Sequence, residues 1–193
     1  GTKPGGQSDK KLSQLRIIGG QWRGRKLSFH ATPGLRPTTD RIRETVFNWL
    51  APFLQDARCA DLFAGSGALG LEALSRGAAH CDFVDTSASA VTSITAHLAL
   101  LSARDRGQCA RATASDFIGK ARMPYDIVFV DPPFDDDLAN GTLALLAELR
   151  QLQSGGLIYL ETSSRKAAPE LPPGWTVFRQ KSSGGVSYQL LLA

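Results

Sequence analysis

The sequence predicts an α/β fold in which helices cover both faces of a seven-stranded, mostly parallel sheet. From residue 57 onward, short apolar runs alternate with longer helical patterns, which is typical of βαβ units. The run 125–130 is apolar almost throughout, as expected of a central strand that is buried on both faces. A glycine-rich turn follows the first strand of the series and gives the fold a Rossmann-like character.

The elements can be placed in order along the chain. Residues 1–14 are polar and rich in glycine and lysine, so we expect a disordered tail. Apolar residues flank Gly19-Gly20 within 15–27, which predicts a small β-hairpin. A loop should follow over 28–39, and Thr39 or Asp40 should cap a helix that ends before Pro52.

The remaining elements belong to the main sheet and its covering helices. Helices are predicted at 67–76, 87–102 and 136–152, and strands at 58–63, 80–84, 107–112, 125–130, 156–161, 175–178 and 186–192. The last two strands are joined by a Ser-Ser-Gly-Gly turn and should form an antiparallel hairpin at the sheet edge. The chain therefore divides into a tail at 1–14, a basic hairpin and helix at 15–50, and a sheet domain at 51–193.

Charge is distributed unevenly. Residues 1–50 carry ten Lys and Arg against three Asp and Glu, a net charge of +7, whereas residues 51–193 carry twelve against fifteen, a net charge of −3. A basic end on a slightly acidic body favours contact with a polyanion such as a nucleic acid, and a solvated basic tail is the alternative. Long apolar runs and a secretory leader are both missing from the sequence, so we expect a cytoplasmic protein without a membrane partner.

Cysteines and histidines do not indicate a metal site. The three cysteines, Cys59, Cys81 and Cys109, match no zinc spacing, and each adjoins an apolar run. We therefore interpret them as small buried hydrophobic residues. The three histidines are scattered along the chain, so no metal is expected.

A nucleotide-binding turn is predicted after the first strand of the sheet. Gly65, Gly67 and Gly70 form G-x-G-x-x-G between a strand and a helix, which permits close backbone approach to a ligand. Asp85 lies 20 residues after Gly65, where an acid can hold a ribose. Asp61 precedes the glycines; a pyrophosphate would be repelled there, whereas the sulfonium and ammonium groups of S-adenosylmethionine would be attracted.

Asp116 follows the third strand of the series and should border the same crevice. Its carboxylate could accept a hydrogen bond from an adenine amino group, or it could cap the start of a helix. The sequence leaves both roles open.

The fourth strand ends in Asp131-Pro132-Pro133-Phe134, which suits the binding of a base amine. Such an amine is a poor nucleophile because its lone pair is delocalised into the ring. The Asp131 carboxylate and the Pro132 carbonyl can accept its two hydrogens, and the prolines fix the backbone. Phe134 offers a ring on which a base can stack.

These motifs resemble those of a known family. The stretch 61–67 (DLFAGSG) together with Asp131–Phe134 is similar to class I amino-methyltransferases, and 16–27 (RIIGGQWRGRKL) with 36–50 (RPTTDRIRETVFNWL) resembles the bacterial RsmD family over residues 15–193. The resemblance implies methylation of guanine N2 in 16S ribosomal RNA, at guanine 966, on a partly or fully assembled small subunit. We expect the protein to act as a monomer.

Site residues follow from the resemblance. It implies three groups: S-adenosylmethionine at Asp61, Gly65, Ser66, Gly67, Asp85 and Asp116; the acceptor amine at Asp131, Pro132, Pro133 and Phe134; and RNA at Arg16, Arg23, Arg25, Lys26, Arg41 and Arg43. Asp85 departs from the pattern, since the family commonly has Glu at this position. The shorter Asp side chain keeps the charge but reaches less far toward the ribose.

Four other functions share part of this pattern. A DNA adenine-N6 methyltransferase can use the same Asp-Pro-Pro-Phe turn, but it usually needs an additional target-recognition region. The basic leading segment argues against a protein-glutamine methyltransferase, and a nicotinamide oxidoreductase would leave Asp131–Phe134 without a role. A non-catalytic RNA-binding assembly factor would not need intact Gly65, Gly67, Asp85 and Asp131.

Overall fold

A computed structural model describes residues 12–30, 39–120, 123–133, 136–165 and 167–193. Its main sheet has seven strands: β3 (Arg58–Asp61), β4 (His80–Asp85), β5 (Gly107–Arg111), β6 (Tyr125–Val130), β7 (Leu152–Ser163), β8 (Thr176–Ser183) and β9 (Val186–Leu192). Their order in space is β5-β4-β3-β6-β7-β9-β8. The first five strands of that order are parallel, and β9 pairs antiparallel with both β7 and β8. The predicted fold class is therefore confirmed.

Helices pack on both faces of this sheet. They are α1 (Asp40–Leu50), α2 (Ala68–Ser75), α3 (Ala88–Leu100), α4 (Ala114–Gly119) and α5 (Asp136–Glu148). The first three bury their apolar residues in one core cluster, and α4 and α5 bury theirs in the other. We call these two sides the α1–α3 face and the α4–α5 face. In the described part of the chain, no helix combines the length and apolarity that crossing a membrane requires.

The N-terminal hairpin forms, but its strands lie further apart in sequence than predicted. β1 (Leu12–Arg16) pairs antiparallel with β2 (Lys26–His30). The intervening residues 17–25 form a wide turn in which Ile17 bonds the backbone of Gly24 and Arg25, and Ile17 and Trp22 are buried in the core on the α1–α3 face. The expected tail at 12–14 and loop at 28–30 are therefore wrong, while residues 1–11 and 31–38 lie outside the described residues.

A buried carboxylate anchors this N-terminal segment to α2. Glu72 is inaccessible to solvent and accepts hydrogen bonds from the backbone N–H of Ile18 (2.8 Å) and Gly19 (3.2 Å). Ser75 adds two bonds, accepting from the N–H of Trp22 and donating to the carbonyl of Gly19. The segment is thus attached to the helix that follows the glycine turn.

Thr39 caps helix α1, because its side chain accepts the N–H of Ile42; it is the first of the two caps that the sequence allowed. The prediction that Arg43 is exposed for RNA contact is wrong, since it is 2% exposed. Its guanidinium pairs with Asp40 (2.7 Å) and Glu72 (3.4 Å) and donates to the carbonyl of Arg16 (2.8 Å). A buried partner acid compensates its charge, which the apolar periodicity of α1 alone cannot indicate.

Other predicted elements differ mainly at their ends. Helix α5 ends at Glu148, four residues before the predicted end, and β7 begins at Leu152. The short helix α4 was not among the predicted elements; Thr113 caps it by accepting the N–H of Asp116. Cys59 and Cys81 are buried and Cys109 is half-buried, and all three are free thiols.

Strand order positions the functional site. The chain runs outward from β3 through β4 to β5, then returns to place β6 on the other side of β3. The carboxyl ends of β3 and β6 therefore flank the topological switch point, where open α/β sheets bind ligands. Asp61 ends β3 and Asp131 follows β6, so both lie at this edge.

Candidate active site

The glycine turn between β3 and α2 requires its glycines for two different reasons. Gly65 and Gly67 have φ of +55° and +84°, in the left-handed region that other residues rarely adopt. A Cβ on Gly70 would lie 2.3 Å from the Phe83 ring and 2.8 Å from the Cys81 sulfur. The third glycine therefore lets α2 pack closely on β4, while the first two allow the backbone of the turn itself.

Asp61 is a buried acid at the base of this turn. Only 2% of it is exposed, and its carboxylate accepts the N–H of Gly70 at 3.1 Å. Burial raises the pKa of Asp61 to about 7; the Gly70 hydrogen bond opposes the rise, and the nearby Asp85 charge adds to it. A buried carboxyl with this pKa will ionise readily when a cation is placed beside it.

Asp85 lies at the end of β4 and bonds the glycine turn. One carboxylate oxygen accepts the N–H of Gly65 (2.9 Å) and the other accepts the N–H of Ser87 (2.8 Å). The side chain is half-buried, and each oxygen has a second lone-pair direction. Asp85 therefore fixes the turn while keeping acceptor capacity for a hydroxyl-bearing ligand.

The structure shows whether Asp116 caps a helix, one of the two roles that the sequence left open. Thr113 caps α4, so Asp116 is not the cap; it lies in the first turn with an exposed side chain. Because β5 neighbours β4, this turn lies near the edge that carries Asp85. Ser66 is half-buried within the glycine turn itself.

The Asp131 turn leaves the sheet at the carboxyl end of β6. Asp131 is half-buried, Pro132 is buried and Pro133 is exposed; Phe134 lies outside the described residues. Hydrogen bonds connect this edge to the glycine turn, since Leu62, directly after β3, donates its N–H to the carbonyl of Phe129 at 3.2 Å. The Asp131 turn and the glycine turn are thus parts of one sheet edge.

Two residues of this edge were missed in the sequence analysis. Tyr159 is fully buried in β7, and its hydroxyl donates to Glu161 at 2.9 Å. Burial raises the pKa of Tyr159 well above its usual value, and the charges of Glu161 and Asp131 add to this rise. The available signal was that Glu161 ends the predicted strand 156–161. That this strand lies beside β6, and so beside Asp131, is evident only from the sheet order.

Five of the six basic residues predicted to contact RNA are exposed, and the sixth, Arg43, is buried. Arg16, Arg23, Arg25 and Lys26 are exposed on or beside the hairpin, and Arg41 is exposed on α1. Arg16 also pairs with Asp40 at 3.3 Å in an exposed contact, which contributes little energy. These five cations form what we call the basic surface.

The sheet order, the glycine turn and the proline turn together define a class I methyltransferase fold. A solved structure from Streptococcus mutans, titled "A putative sam-dependent methyltransferase", shares this fold at a TM-score of 0.73 and 16% identity, over 98% of this chain and 57% of that chain. The solved "Putative methyltransferase yhhF" from Escherichia coli is 44% identical with a TM-score of 0.88, covering 93% of this chain and 98% of that chain.

Sequence comparison narrows the assignment. The family model described as "Conserved hypothetical protein 95" matches residues 15–192. Ribosomal RNA small subunit methyltransferase D of Escherichia coli strain K12 is 48% identical over 177 residues, which is 92% of this chain and 89% of that protein. The chain belongs to the RsmD family.

Proposed function

We propose that this protein transfers a methyl group from S-adenosylmethionine to the exocyclic N2 of a guanine in 16S ribosomal RNA, at guanine 966. The position of Asp131–Pro133 beside the switch point carries the proposal, because a turn that can bind an amine there follows β6, next to the strand that Asp61 ends. Asp85 ends β4, the next strand along the same edge. Relatives named for small-subunit RNA methylation support the substrate class.

The carboxylates on the cofactor side fit a cationic nucleoside. Asp61 is buried with a raised pKa, so a nearby ammonium would stabilise its ionised form. Asp85 would accept the ribose hydroxyls, and Asp116 would accept the adenine amine at the rim. Bound S-adenosylmethionine supplies an electrophilic methyl group on a positively charged sulfur. Gly65, Ser66 and Gly67 would line its approach.

The acceptor side would position the amine. The Asp131 carboxylate and the Pro132 carbonyl each accept one hydrogen of the amine, which directs its lone pair toward the cofactor pocket. Pro132 and Pro133 restrict the backbone, so the acceptors are ordered before the base binds. Phe134 would stack on the base, a contact worth about 1–3 kcal/mol.

The basic surface would hold the RNA. Its exposed cations are suited to phosphates, which contribute most of the affinity and little sequence information. The structure attaches 17–25 to α2 through Glu72, so RNA bound on the hairpin would keep a fixed position relative to the glycine turn. We propose that a monomer binds the 16S RNA within a partly or fully assembled small subunit in the cytoplasm.

The test supplies labelled S-adenosylmethionine with small subunits, naked 16S RNA or duplex DNA and maps the labelled base. We expect label on guanine N2 of 16S RNA, and label on adenine of DNA would contradict the proposal. Asp131→Ala should lower kcat about 100-fold or more, as removal of a preorganised polar group does, while leaving cofactor affinity within about twofold. Glu148→Gln, an exposed change on α5, is the control.

A further inference from the structure

A second carboxylate lies beside the acceptor turn. Strands β6 and β7 are parallel, and Val130 pairs with Leu160 in their last register position. The next residue on one side is Asp131, directly after β6, and on the other side it is Glu161, two residues before the end of β7. The two acids therefore lie at the same level, at the carboxyl end of β6. Adjacent strands are about 4.8 Å apart, so a planar base can reach both side chains.

The two acids also belong to the same side of the sheet. The Phe129 and Tyr159 rings contact each other at 6.3 Å in the core cluster of the α1–α3 face. Strand alternation places Asp131 and Glu161, each two residues further on, toward that face. Helix α1 covers it, with Phe47 against Phe129 at 5.9 Å. The carboxylates of Asp131 and Glu161 therefore lie on the side of the sheet that α1 covers, and α1 also carries Arg41 of the basic surface.

Tyr159 forms a hydrogen bond with one of the two carboxylates, that of Glu161. Its hydroxyl donates to one oxygen of Glu161, and the Asp131 charge is close enough to affect the same phenol. Tyr159 is fully buried whereas Glu161 is half-buried. The fixed Tyr159 hydroxyl therefore orients the more accessible Glu161 carboxylate.

Guanine and adenine differ at the atom beside their exocyclic amine. In guanine, N1 carries a hydrogen next to the N2 amine, whereas in adenine N1 carries a lone pair next to the N6 amine. We propose that Glu161 accepts the N1 hydrogen of the target guanine while Asp131 and Pro132 hold its amine. A carboxylate would repel the adenine lone pair, so Glu161 would be the residue that selects guanine over adenine. This inference rests on the proposed function.

The test replaces the target guanine by 2-aminopurine, which keeps the amine at C2 but has a lone pair at N1. Small subunits are reconstituted with 16S RNA carrying either base, and kcat/KM is measured for each. The wild-type protein should prefer guanine by about 5- to 100-fold, the range expected of one well-formed base contact. Glu161→Gln should shrink or invert this preference, because its amide can donate to the bare N1.

Two further variants separate the outcomes. Glu148→Gln should keep the wild-type preference, since it makes the same chemical change on an exposed helix. Tyr159→Phe removes the orienting hydroxyl and should lower the preference partially, which tests the inference should Glu161→Gln fold poorly. Lack of methylation of the guanine substrate by the wild-type protein would refute the proposed function itself. Methylation with the same guanine to 2-aminopurine ratio in wild type, Glu161→Gln and Tyr159→Phe would overturn the role of Glu161 alone.

Discussion

Replacing Glu72 by Gln should weaken the attachment of the N-terminal segment to α2. The carboxylate is fully buried and accepts the N–H groups of Ile18 and Gly19. It also pairs with Arg43 (3.4 Å) and Arg76 (3.3 Å). Glutamine keeps the shape but loses the charge, and its amide places N–H donors opposite backbone donors.

The magnitude follows from the burial. Removing one partner of a buried ion pair typically costs about 3–5 kcal/mol, and we expect the lower end because Arg43 keeps Asp40 and the Arg16 carbonyl. For a chain of this size, about 3 kcal/mol corresponds to a fall in Tm of about 6–12 °C. The effect should be largest locally, because residues 17–25 depend directly on this anchor.

Thermal melting and amide hydrogen exchange provide the measurements. Protection of the Ile18 and Gly19 amides should fall in Glu72→Gln, and Glu148→Gln should leave both Tm and protection unchanged. Combining Glu72→Gln with Arg43→Met should cost less than the sum of the two separate changes, because Arg43 is then no longer a buried charge that has lost Glu72. A fall in Tm below about 2 °C with unchanged amide protection would refute an anchoring role for Glu72.

Three further perturbations test the cofactor and RNA contacts. Asp61 must ionise to hold an ammonium and has a pKa of about 7, so cofactor affinity should fall as pH drops through 7; Asp61→Asn should bind weakly without this dependence. In the absence of cofactor, folded Asp61 keeps a proton that the unfolded chain releases between about pH 4 and 7, so the free energy of unfolding should fall as pH rises through that range. Asp61→Asn carries no such charge, so its Tm at pH 8 should be no lower than that of the wild-type protein. Asp85→Ala should weaken cofactor binding about tenfold by calorimetry, whereas Asp85→Glu should restore it; equal affinities would exclude the ribose role. Replacing Arg23, Arg25 and Lys26 by Gln should reduce the slope of log affinity against log salt by about 0.7–0.9 for each phosphate that is no longer neutralised, and an unchanged slope would show that these cations are only solvated.

Local pattern was sufficient to predict the parallel part of the fold. The apolar run 125–130 and the spacing from Gly65 to Asp85 depend on neighbours in sequence, and both correspond to the structure. The short helix α4 was missed because six residues show little apolar periodicity. The N-terminal hairpin extends beyond its predicted ends, to Leu12 and His30, and its turn is wide because Trp22 packs into the core.

The site was predictable to the extent that each residue follows its own strand. Asp61 and Asp85 end β3 and β4, and Asp131 follows β6, in a fold whose ligands bind at the carboxyl edge of the sheet, so their positions could be inferred. The burial of Arg43 could not be inferred, because it depends on Glu72, which lies 29 residues away in sequence. Glu161 becomes relevant only once β7 is known to lie against β6 in that register.

The position of β9 bears on how the protein is synthesised. β9 lies between β7 and β8, although it follows both along the chain. Until Val186–Leu192 has left the ribosome, a nascent chain therefore exposes the outer edge of β7 and leaves β8 without this neighbour. Exposed strand edges are templates for aggregation, so products of premature termination should accumulate as aggregates rather than as partly active enzyme.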